Sequence, residues 1–227
     1  MILKGEAISK QFIRKNRNSN VFYAVKECSI EIKNGELIEV VGRSGSGKST
    51  LLNMLSGILT PSTGRVMLDD LDLYQLEDSQ LSRFRNEHFG IVPQGYSAIS
   101  SLTVLENVML PYTLYDGEED GTDRAKELLD RIGIMDLSEV YPQELSGGEL
   151  RRMAIARALV RKPDILFADE PTGDLDDENT KLILELLKSA AQDGVAVLMI
   201  THDVEAKQYA DCIYRMDGGE LREEKCK

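Results

Sequence analysis

The sequence predicts one α/β domain of 227 residues, organised around a mainly parallel β-sheet. Four short, nearly continuous apolar runs have the length of strands that are buried on both faces: Leu37–Val41, Phe89–Val92, Asp164–Ala168 and Val195–Ile200. Segments with helical periodicity separate these runs. Because strands that alternate with helices usually form parallel sheets, we expect an α/β core.

Three segments carry the helical pattern. Lys48–Ile58 follows the first apolar run, and Leu150–Arg161 ends before Pro163, which cannot continue a helix. Glu178–Gln192 repeats its apolar residues at helical spacing and is followed by Gly194, a residue type common at helix ends. These segments supply the helices that would cover the sheet.

The N-terminal region departs from this alternation. It favours two short strands, Ala7–Phe12 and Cys28–Ile32, around a polar loop at Arg14–Asn20. The basic stretch Arg14–Arg17 within that loop is interpreted as a solvated hairpin tip. We therefore expect an antiparallel β lobe that precedes the core.

A second departure is the helical pattern of Thr103–Leu145, which only the acidic loop Asp116–Asp123 interrupts. This pattern predicts a helical lobe inserted into the core at about residues 95–159. The core and its β lobe would then comprise residues 1–94 and 160–227.

The composition limits the class of partner. The formal net charge is −12, and nucleic-acid-binding proteins usually carry the opposite balance, so we expect no nucleic-acid partner. No apolar run approaches the roughly 20 residues of a membrane-spanning helix, and the N-terminus lacks a secretory signal. Cys28, Cys212 and Cys226 are widely spaced. We expect reduced cysteines in a cytoplasmic protein, with neither a metal site nor a disulfide framework.

A glycine-rich loop follows the first apolar run. Residues Gly42–Ser49, GRSGSGKS, match G-x-x-x-x-G-K-[ST] between a strand and a helix. Glycines there let backbone N–H groups point at phosphate oxygens, and the helix N-terminus adds a favourable dipole. Lys48 can reach the β- and γ-phosphates, and the Ser49 hydroxyl can bind Mg²⁺. The loop predicts a P-loop NTPase core. Its candidate nucleotide-binding residues are Gly42, Ser44, Gly45, Ser46, Gly47, Lys48, Ser49 and Thr50.

Polar groups at other predicted strand ends complete a hydrolytic site. Asp169 can hold a Mg²⁺-bound water, and Glu170 can orient or deprotonate the attacking water. His202 ends another apolar strand, where its ring can hydrogen-bond the γ-phosphate and hold Glu170 in line. Gln94 can contact both Mg²⁺ and the attacking water, and it opens the helical region. The candidate catalytic residues are therefore Lys48, Gln94, Glu170 and His202, and the candidate metal ligands are Ser49, Gln94 and Asp169; His88 is assigned no role.

A second anion cradle lies far along the chain. Leu145–Arg152, LSGGELRR, places Ser146, Gly147 and Gly148 in a turn at the start of a helix. One nucleotide in a P-loop does not by itself account for two such cradles in one chain.

With this motif the sequence resembles the nucleotide-binding subunits of ATP-binding cassette (ABC) transporters over essentially its whole length. The matching motifs, in chain order, are the Walker A loop at Gly42–Ser49, the Q-loop at Gln94, the signature at Leu145–Glu149, Walker B at Ile165–Glu170, the D-loop at Gly173–Asp176 and the switch histidine His202. A guanine-specific GTPase or a small-molecule kinase would not explain the signature, and no N-K-x-D motif is present.

The resemblance implies an ATPase that works as a dimer of identical chains with ATP and Mg²⁺. Ser146, Gly147 and Gly148 of one copy would cap the γ-phosphate held by the Walker A loop of the other, and Asp176 would cross the interface. It also implies an aromatic ring against adenine. Phe12 occupies that position, where Tyr is usual, and Phe22 and Tyr23 remain alternatives.

Three other positions depart from the family pattern. Arg43 replaces a common Pro, Pro93 a usual Phe before Gln94, and Leu150 a frequent Gln. None of them removes a catalytic group, although Pro93 leaves the coupling between the lobes open to differences in detail.

Three phrases resemble one branch of the family: Ser101–Pro111, Tyr141–Leu159 and Ala168–Asp176. This branch contains macrolide-efflux, lipoprotein-releasing, antimicrobial-peptide-resistance and cell-division systems. The resemblance implies a cytoplasmic, membrane-peripheral ATPase that drives a separate permease in export or extraction. It also implies that the permease docks near Tyr96–Leu102. Alternatives are a cell-division complex and a soluble ABC ATPase in a non-transport process; the cargo is not specified.

Overall fold

The computed structural model describes residues 1–13, 21–95, 97–115, 121–203 and 205–226. The loop Arg14–Asn20 with its basic stretch, Tyr96, and most of the acidic loop Asp116–Asp123 lie outside the described residues. The strands of the described part are β1 (Ile2–Ile13), β2 (Val21–Lys33), β3 (Leu37–Val41), β4 (Thr63–Leu68), β5 (Leu71–Asp72), β6 (Phe89–Val92), β7 (Ile165–Asp169), β8 (Ala196–Ile200), β9 (Cys212–Asp217) and β10 (Glu220–Cys226). Its α-helices are α1 (Lys48–Leu55), α2 (Asp78–His88), α3 (Val104–Thr113), α4 (Thr122–Arg131), α5 (Gly147–Leu159) and α6 (Asp177–Gln192).

The core is a six-stranded sheet in the order β10-β9-β3-β8-β7-β6. Neighbouring strands run parallel except for β10, which pairs antiparallel with β9. Every residue of β3, β7 and β8 is buried, as the continuous apolar runs predicted. One apolar cluster joins this sheet to α1 and the β lobe, and a second joins its other face to α6. The predicted α/β fold is confirmed.

The β lobe is a separate antiparallel sheet in the order β2-β1-β4-β5. Its first two strands are 12 and 13 residues long, more than the short strands that the sequence predicted. The register of β1 shifts between Gly5 and Ile8, where Ala7 has a φ of 49°. This bulge interrupts the apolar alternation by which a strand is recognised in a sequence.

The helical lobe consists of α3, α4 and α5 packed around their own apolar cluster. Thr103 caps α3 in a capping box with Glu106. Ser146 caps α5 in a capping box with Glu149. In this box, Oε2 of Glu149 accepts a hydrogen bond from the backbone N–H of Ser146 at 2.7 Å. Because of this cap, α5 begins three residues earlier than the apolar pattern predicted, at Gly147.

The expectation of reduced cysteines was wrong for two of the three. Cys212 and Cys226 are directly opposed in the β9–β10 pair and are joined by a disulfide. Their separation along the chain does not show this proximity, which the antiparallel hairpin creates. Cys28 is free and half-buried. Within the described ranges, no helix has the length and apolar character to cross a membrane.

Candidate nucleotide site

The glycine loop after β3 is held between two other parts of the backbone. Gly47, the cap of α1, has a φ of 111°, and a Cβ there would lie 2.1 Å from the backbone oxygen of Ala24. The N–H of Gly219, in the β9–β10 turn, donates to the Ser46 carbonyl at 3.0 Å. The loop conformation therefore depends on β2 and on the β9–β10 hairpin as well as on its own glycines.

Lys48 lies inside the loop with only 7 % of its surface exposed. Its Nζ donates to the backbone oxygens of Gly42 at 2.8 Å and Arg43 at 3.2 Å. The ammonium is thus already positioned in the cradle, and it satisfies loop carbonyls that phosphate oxygens would replace as acceptors.

Asp169 ends β7 directly beneath the loop. The pKa of its carboxyl is raised, chiefly by burial and also by the neighbouring Glu170. A hydrogen bond from the Ser49 side chain and the charge of Lys48 lower it by smaller amounts. Its Oδ1 is buried and has no hydrogen-bond partner in the described part of the chain. A hard cation beside Ser49 would supply the missing partner of this oxygen, so the residues fit Mg²⁺.

Glu170 and His202 form a close pair at the ends of β7 and β8. Glu170 has a φ of 51°, a conformation that costs about 1–3 kcal/mol for a non-glycine residue, and its N–H donates to the Ile200 carbonyl at 2.8 Å. Its Oε2 lies 2.8 Å from Nδ1 of His202 and accepts from the His202 backbone N–H at 3.3 Å. The carboxylate is 14 % exposed and the imidazole 76 %, so the carboxylate is held in place while the ring faces solvent.

The glycine loop, Lys48, Glu170 and His202 line a cavity of about 760 Å³, large enough for a nucleotide; Asp169 is not among the lining residues. The predicted residues that line it are Phe12, Gly42, Ser44, Gly45, Gly47, Lys48, Ser49, Thr50, Gln94, Glu170 and His202. Ser46 is buried within the loop. Ala24 on β2 and the turn residues Gly218 and Gly219 also line the cavity. Sequence reasoning missed them because none of them belongs to a recognised nucleotide-binding motif.

Three aromatic rings line this cavity. Phe12 and Phe22 stack with centroids 5.8 Å apart and planes at 27°, and Tyr23 lies beside them. The alternatives for the adenine contact therefore all remain in the same cavity.

The second cradle is elsewhere. Among the described residues, the lining of the cavity does not include Ser146, Gly147, Gly148 or Asp176. Ser146 and Asp176 are exposed, at the N-terminal ends of α5 and α6. The two anion cradles that the sequence predicts therefore do not line one cavity in the described part of the chain.

Asn179 joins the second cradle to the D-loop, a connection that sequence reasoning missed. Its Oδ1 accepts from Arg152 Nη1 at 2.9 Å, and its backbone N–H donates to the Asp176 side chain at 2.8 Å. Hydrogen bonds from Asn179 lower the pKa of Asp176. A Cβ at Gly148 would lie 2.5 Å from Asn179 Oδ1, so a larger residue there would displace the Asn179 side chain.

The comparisons with known proteins agree with this geometry. A family model described as ABC transporter matches residues 25–173. The ABC transporter ATP-binding protein MJ0796 of Methanocaldococcus jannaschii is 40% identical over 212 residues, which are 90% of each chain. The macrolide export ATP-binding/permease protein MacB of Vibrio parahaemolyticus is 37% identical over 97% of this chain, which spans only 34% of that relative. The lipoprotein-releasing system ATP-binding protein LolD of Colwellia psychrerythraea is 36% identical over 95% of this chain and 83% of its own length.

Solved structures show the same similarity. The dimeric structure of MJ0796, a bacterial ABC transporter cassette, superposes with a TM-score of 0.90 at 36% identity and covers 99% of both chains. A dimeric post-hydrolysis state of the same cassette, bound to ADP and Pi, superposes with a TM-score of 0.89.

The chain belongs to the ABC transporter family. Within it, the chain is an ATP-binding cassette with ATPase activity, in the branch that contains MacB and LolD, as its signature motifs implied.

Proposed function

We propose that two copies of this chain close around two ATP molecules and that this closure drives a separate membrane permease. The observation that carries the proposal is the position of the second cradle, which lies outside the nucleotide cavity of its own chain. A head-to-tail dimer would bring Ser146, Gly147 and Gly148 of one copy to the γ-phosphate held by the other, with Asp176 at the interface. We also propose that residues 1–94 and 160–227 form the core with its β lobe, and that residues 95–159 form the helical lobe.

The hydrolytic roles follow from the geometry of the cavity. Glu170 accepts the proton of the attacking water, and His202 holds the Glu170 carboxylate through the 2.8 Å contact of its Nδ1. Lys48 binds the β- and γ-phosphates, and the loop residues Gly42 to Thr50 cradle them through the backbone. Ser49, Asp169 and Gln94 would hold Mg²⁺, which, when bound, neutralises phosphate charge. One of the three rings at Phe12, Phe22 and Tyr23 contacts the base.

A Glu170→Gln variant tests the role of the base. Its ATPase rate should fall at least ~100-fold, because an amide cannot accept the proton of water. ATP binding, measured with a fluorescent analogue, should be retained, because Lys48 and the glycine loop are unchanged. Equal turnover of the variant and the wild type would refute Glu170 as the base.

The same variant tests the shared site. Slow hydrolysis should let ATP-bound dimers accumulate, and light scattering after gel filtration should detect them. Adding Ser146→Arg should abolish the dimer while each monomer still binds ATP, because the arginine would occupy the space of the partner's γ-phosphate. If the Ser146→Arg single variant hydrolyses ATP at the wild-type rate, each chain hydrolyses ATP alone. The proposal that two copies share each ATP site is then wrong.

The permease would dock beside the Q-loop, on the face that carries α3 and the end of β6. A notch of about 170 Å³ on this face is lined by Ile91, Leu110, Pro111 and Leu114, and also by the polar residues Asn86, Arg157 and Arg161; Leu114 is 58 % exposed. A helix end of the permease that presents both apolar and polar side chains would fit such a notch. This docking places the chain in the cytoplasm, at the inner face of the membrane.

Purification of the tagged chain from native membranes, followed by mass spectrometry, tests the partner. A polytopic permease with a large extracytoplasmic domain should be recovered with the wild type and be lost with Leu114→Arg. Export or extraction is favoured over import by the similarity to MacB and LolD. Recovery of ribosomes or of soluble proteins alone would favour the non-transport alternative, and division proteins would favour a cell-division complex.

A further inference from the structure

Arg151 contacts the backbone of the Q-loop from the helical lobe. It lies on α5 and is only 2 % exposed. Its Nη1 donates to the carbonyl oxygen of Pro93 at 2.9 Å, and its Nη2 donates to the carbonyl oxygen of Gln94 at 3.1 Å. One guanidinium therefore holds two consecutive peptide groups.

The rest of this segment is anchored in the same lobe. Arg157, also on α5, donates to both the carbonyl oxygen and the side-chain oxygen of Ser97. Asn107 on α3, fully buried, bonds the N–H and the carbonyl of Ile99 at 2.8 and 3.0 Å. The Gln94 side chain, in contrast, is exposed and lines the nucleotide cavity. The helical lobe thus holds the backbone at Pro93, Gln94, Ser97 and Ile99, while the Gln94 amide lines the nucleotide cavity.

The two carbonyls that Arg151 holds lie on either side of the Gln94 Cα. Fixing both peptide planes fixes the direction of the Cα–Cβ bond between them, and so the starting direction of the side chain. The planar fork of an arginine can do this, whereas a lysine ammonium is a point donor without a preferred plane. Because α5 also begins with Ser146–Gly148, the same rigid helix carries the second cradle and the clamp on Gln94.

We propose that Arg151 is a positioning residue for Gln94: its guanidinium clamps the two peptides around Gln94 and so sets the placement of the amide in the nucleotide cavity. A displacement of α5 is then transmitted directly to Gln94. The inference rests on the proposed role of Gln94 at Mg²⁺ and the attacking water.

A double-mutant cycle tests it, with Arg151→Met, Gln94→Ala and the double variant. Steady-state ATPase assays give kcat, KM for MgATP and the Mg²⁺ concentration for half-maximal rate. Arg124→Met is the matched control, since Arg124 is a half-buried arginine of the same lobe that pairs with Glu127 on its own helix. Thermal unfolding and binding of a fluorescent ATP analogue show that each variant is folded.

Arg151→Met should lower kcat about 10–100-fold, because misplacing a catalytic group by about 1 Å has effects of this size. KM should change less than about 3-fold, since the glycine loop and Lys48 are untouched, and half-saturation with Mg²⁺ should move to higher concentration. In the Gln94→Ala background the same substitution should change kcat less than about 3-fold. Arg151→Lys should recover only part of the loss; if Arg151→Met does not fold, the cycle is made with Arg151→Lys.

A wild-type kcat in Arg151→Met, or equal losses with and without Gln94, would overturn the inference while leaving the role of Gln94 intact. A loss in Arg124→Met as large as in Arg151→Met would overturn it too, because the effect would then follow from general damage to the lobe. A wild-type kcat in Gln94→Ala would overturn both the proposed role of Gln94 and the inference that rests on it.

Discussion

Glu39 is a carboxylate in the middle of the central strand β3, and its replacement by glutamine offers a quantitative test of this structure. The side chain is fully buried, and neither carboxylate oxygen has a hydrogen-bond partner in the described residues. Burial raises its pKa from 4.5 to about 7; Lys207 lowers the pKa, and Asp203 and Glu224 raise it, by smaller amounts. The folded protein therefore favours the neutral acid.

The sign of the pH dependence follows from the raised pKa. Below pH 4.5 the carboxyl is neutral in both the folded and the unfolded chain, and its ionisation costs nothing. Between pH 4.5 and 7 the unfolded chain ionises first, so the free energy of unfolding falls as pH rises. The full loss, reached above pH 7, is about 3 kcal/mol at 1.36 kcal/mol for each pKa unit. Between pH 5 and pH 8 the loss is about 2.5 kcal/mol.

Glu39→Gln removes this titration while keeping the size of the side chain. Urea unfolding of the wild type and the variant should show that the variant gains about 2.5 kcal/mol over the wild type between pH 5 and pH 8. Glu27→Gln, which replaces an exposed glutamate on β2, is the control for the loss of one carboxylate. If the difference between Glu39→Gln and the wild type is the same at both pH values, Glu39 does not titrate as a buried acid.

Two further substitutions test backbone and side-chain contacts. Gly47→Ala should weaken ATP binding, measured with a fluorescent analogue, at least ~10-fold more than Gly45→Ala. Both glycines have a positive φ, which costs an alanine about 1–2 kcal/mol. Only at Gly47, however, would the new Cβ meet a backbone oxygen, that of Ala24. Similar affinities of the two variants would contradict the loop packing. Tyr74→Phe should lower the free energy of unfolding by about 1–2 kcal/mol in urea. It removes a hydroxyl whose one proton is shared between the carbonyl oxygens of Met54, at 2.7 Å, and Leu59, at 2.8 Å. An unchanged urea midpoint would argue against this contact.

The P-loop and the candidate catalytic residues were predictable from the sequence because each follows a buried strand. Leu37–Val41 and Phe89–Val92 have the same bounds in the sequence pattern and in the structure. Strands that are buried on both faces are apolar at nearly every position, with Glu39 in β3 as an exception, so their ends, and the polar residues that follow, are visible in the sequence. That rule located Asp169, Glu170 and His202 at one edge of the sheet.

Other elements were not visible in the same way. Helix α2 has a single buried residue, Leu81, and β10 exposes most of its side chains, so neither has a strong apolar pattern. The predicted strands of the β lobe were too short because the bulge at Ala7 breaks their alternation. The pairing of Cys212 with Cys226 depends on the β9–β10 hairpin, which the sequence analysis did not predict.

By itself, the sequence determined the family, the α/β core and a set of candidate nucleotide-binding residues, because each of these is encoded in contiguous stretches of the chain. Only the tertiary structure decided what joins the motifs: Arg151 on the Q-loop carbonyls, Asn179 between the second cradle and the D-loop, and the Gly218–Gly219 turn against the glycine loop. The physical reason is that these are contacts to backbone or between distant segments. A carbonyl oxygen is the same at every residue, so no pattern of side chains along the chain reveals which arginine will bind it.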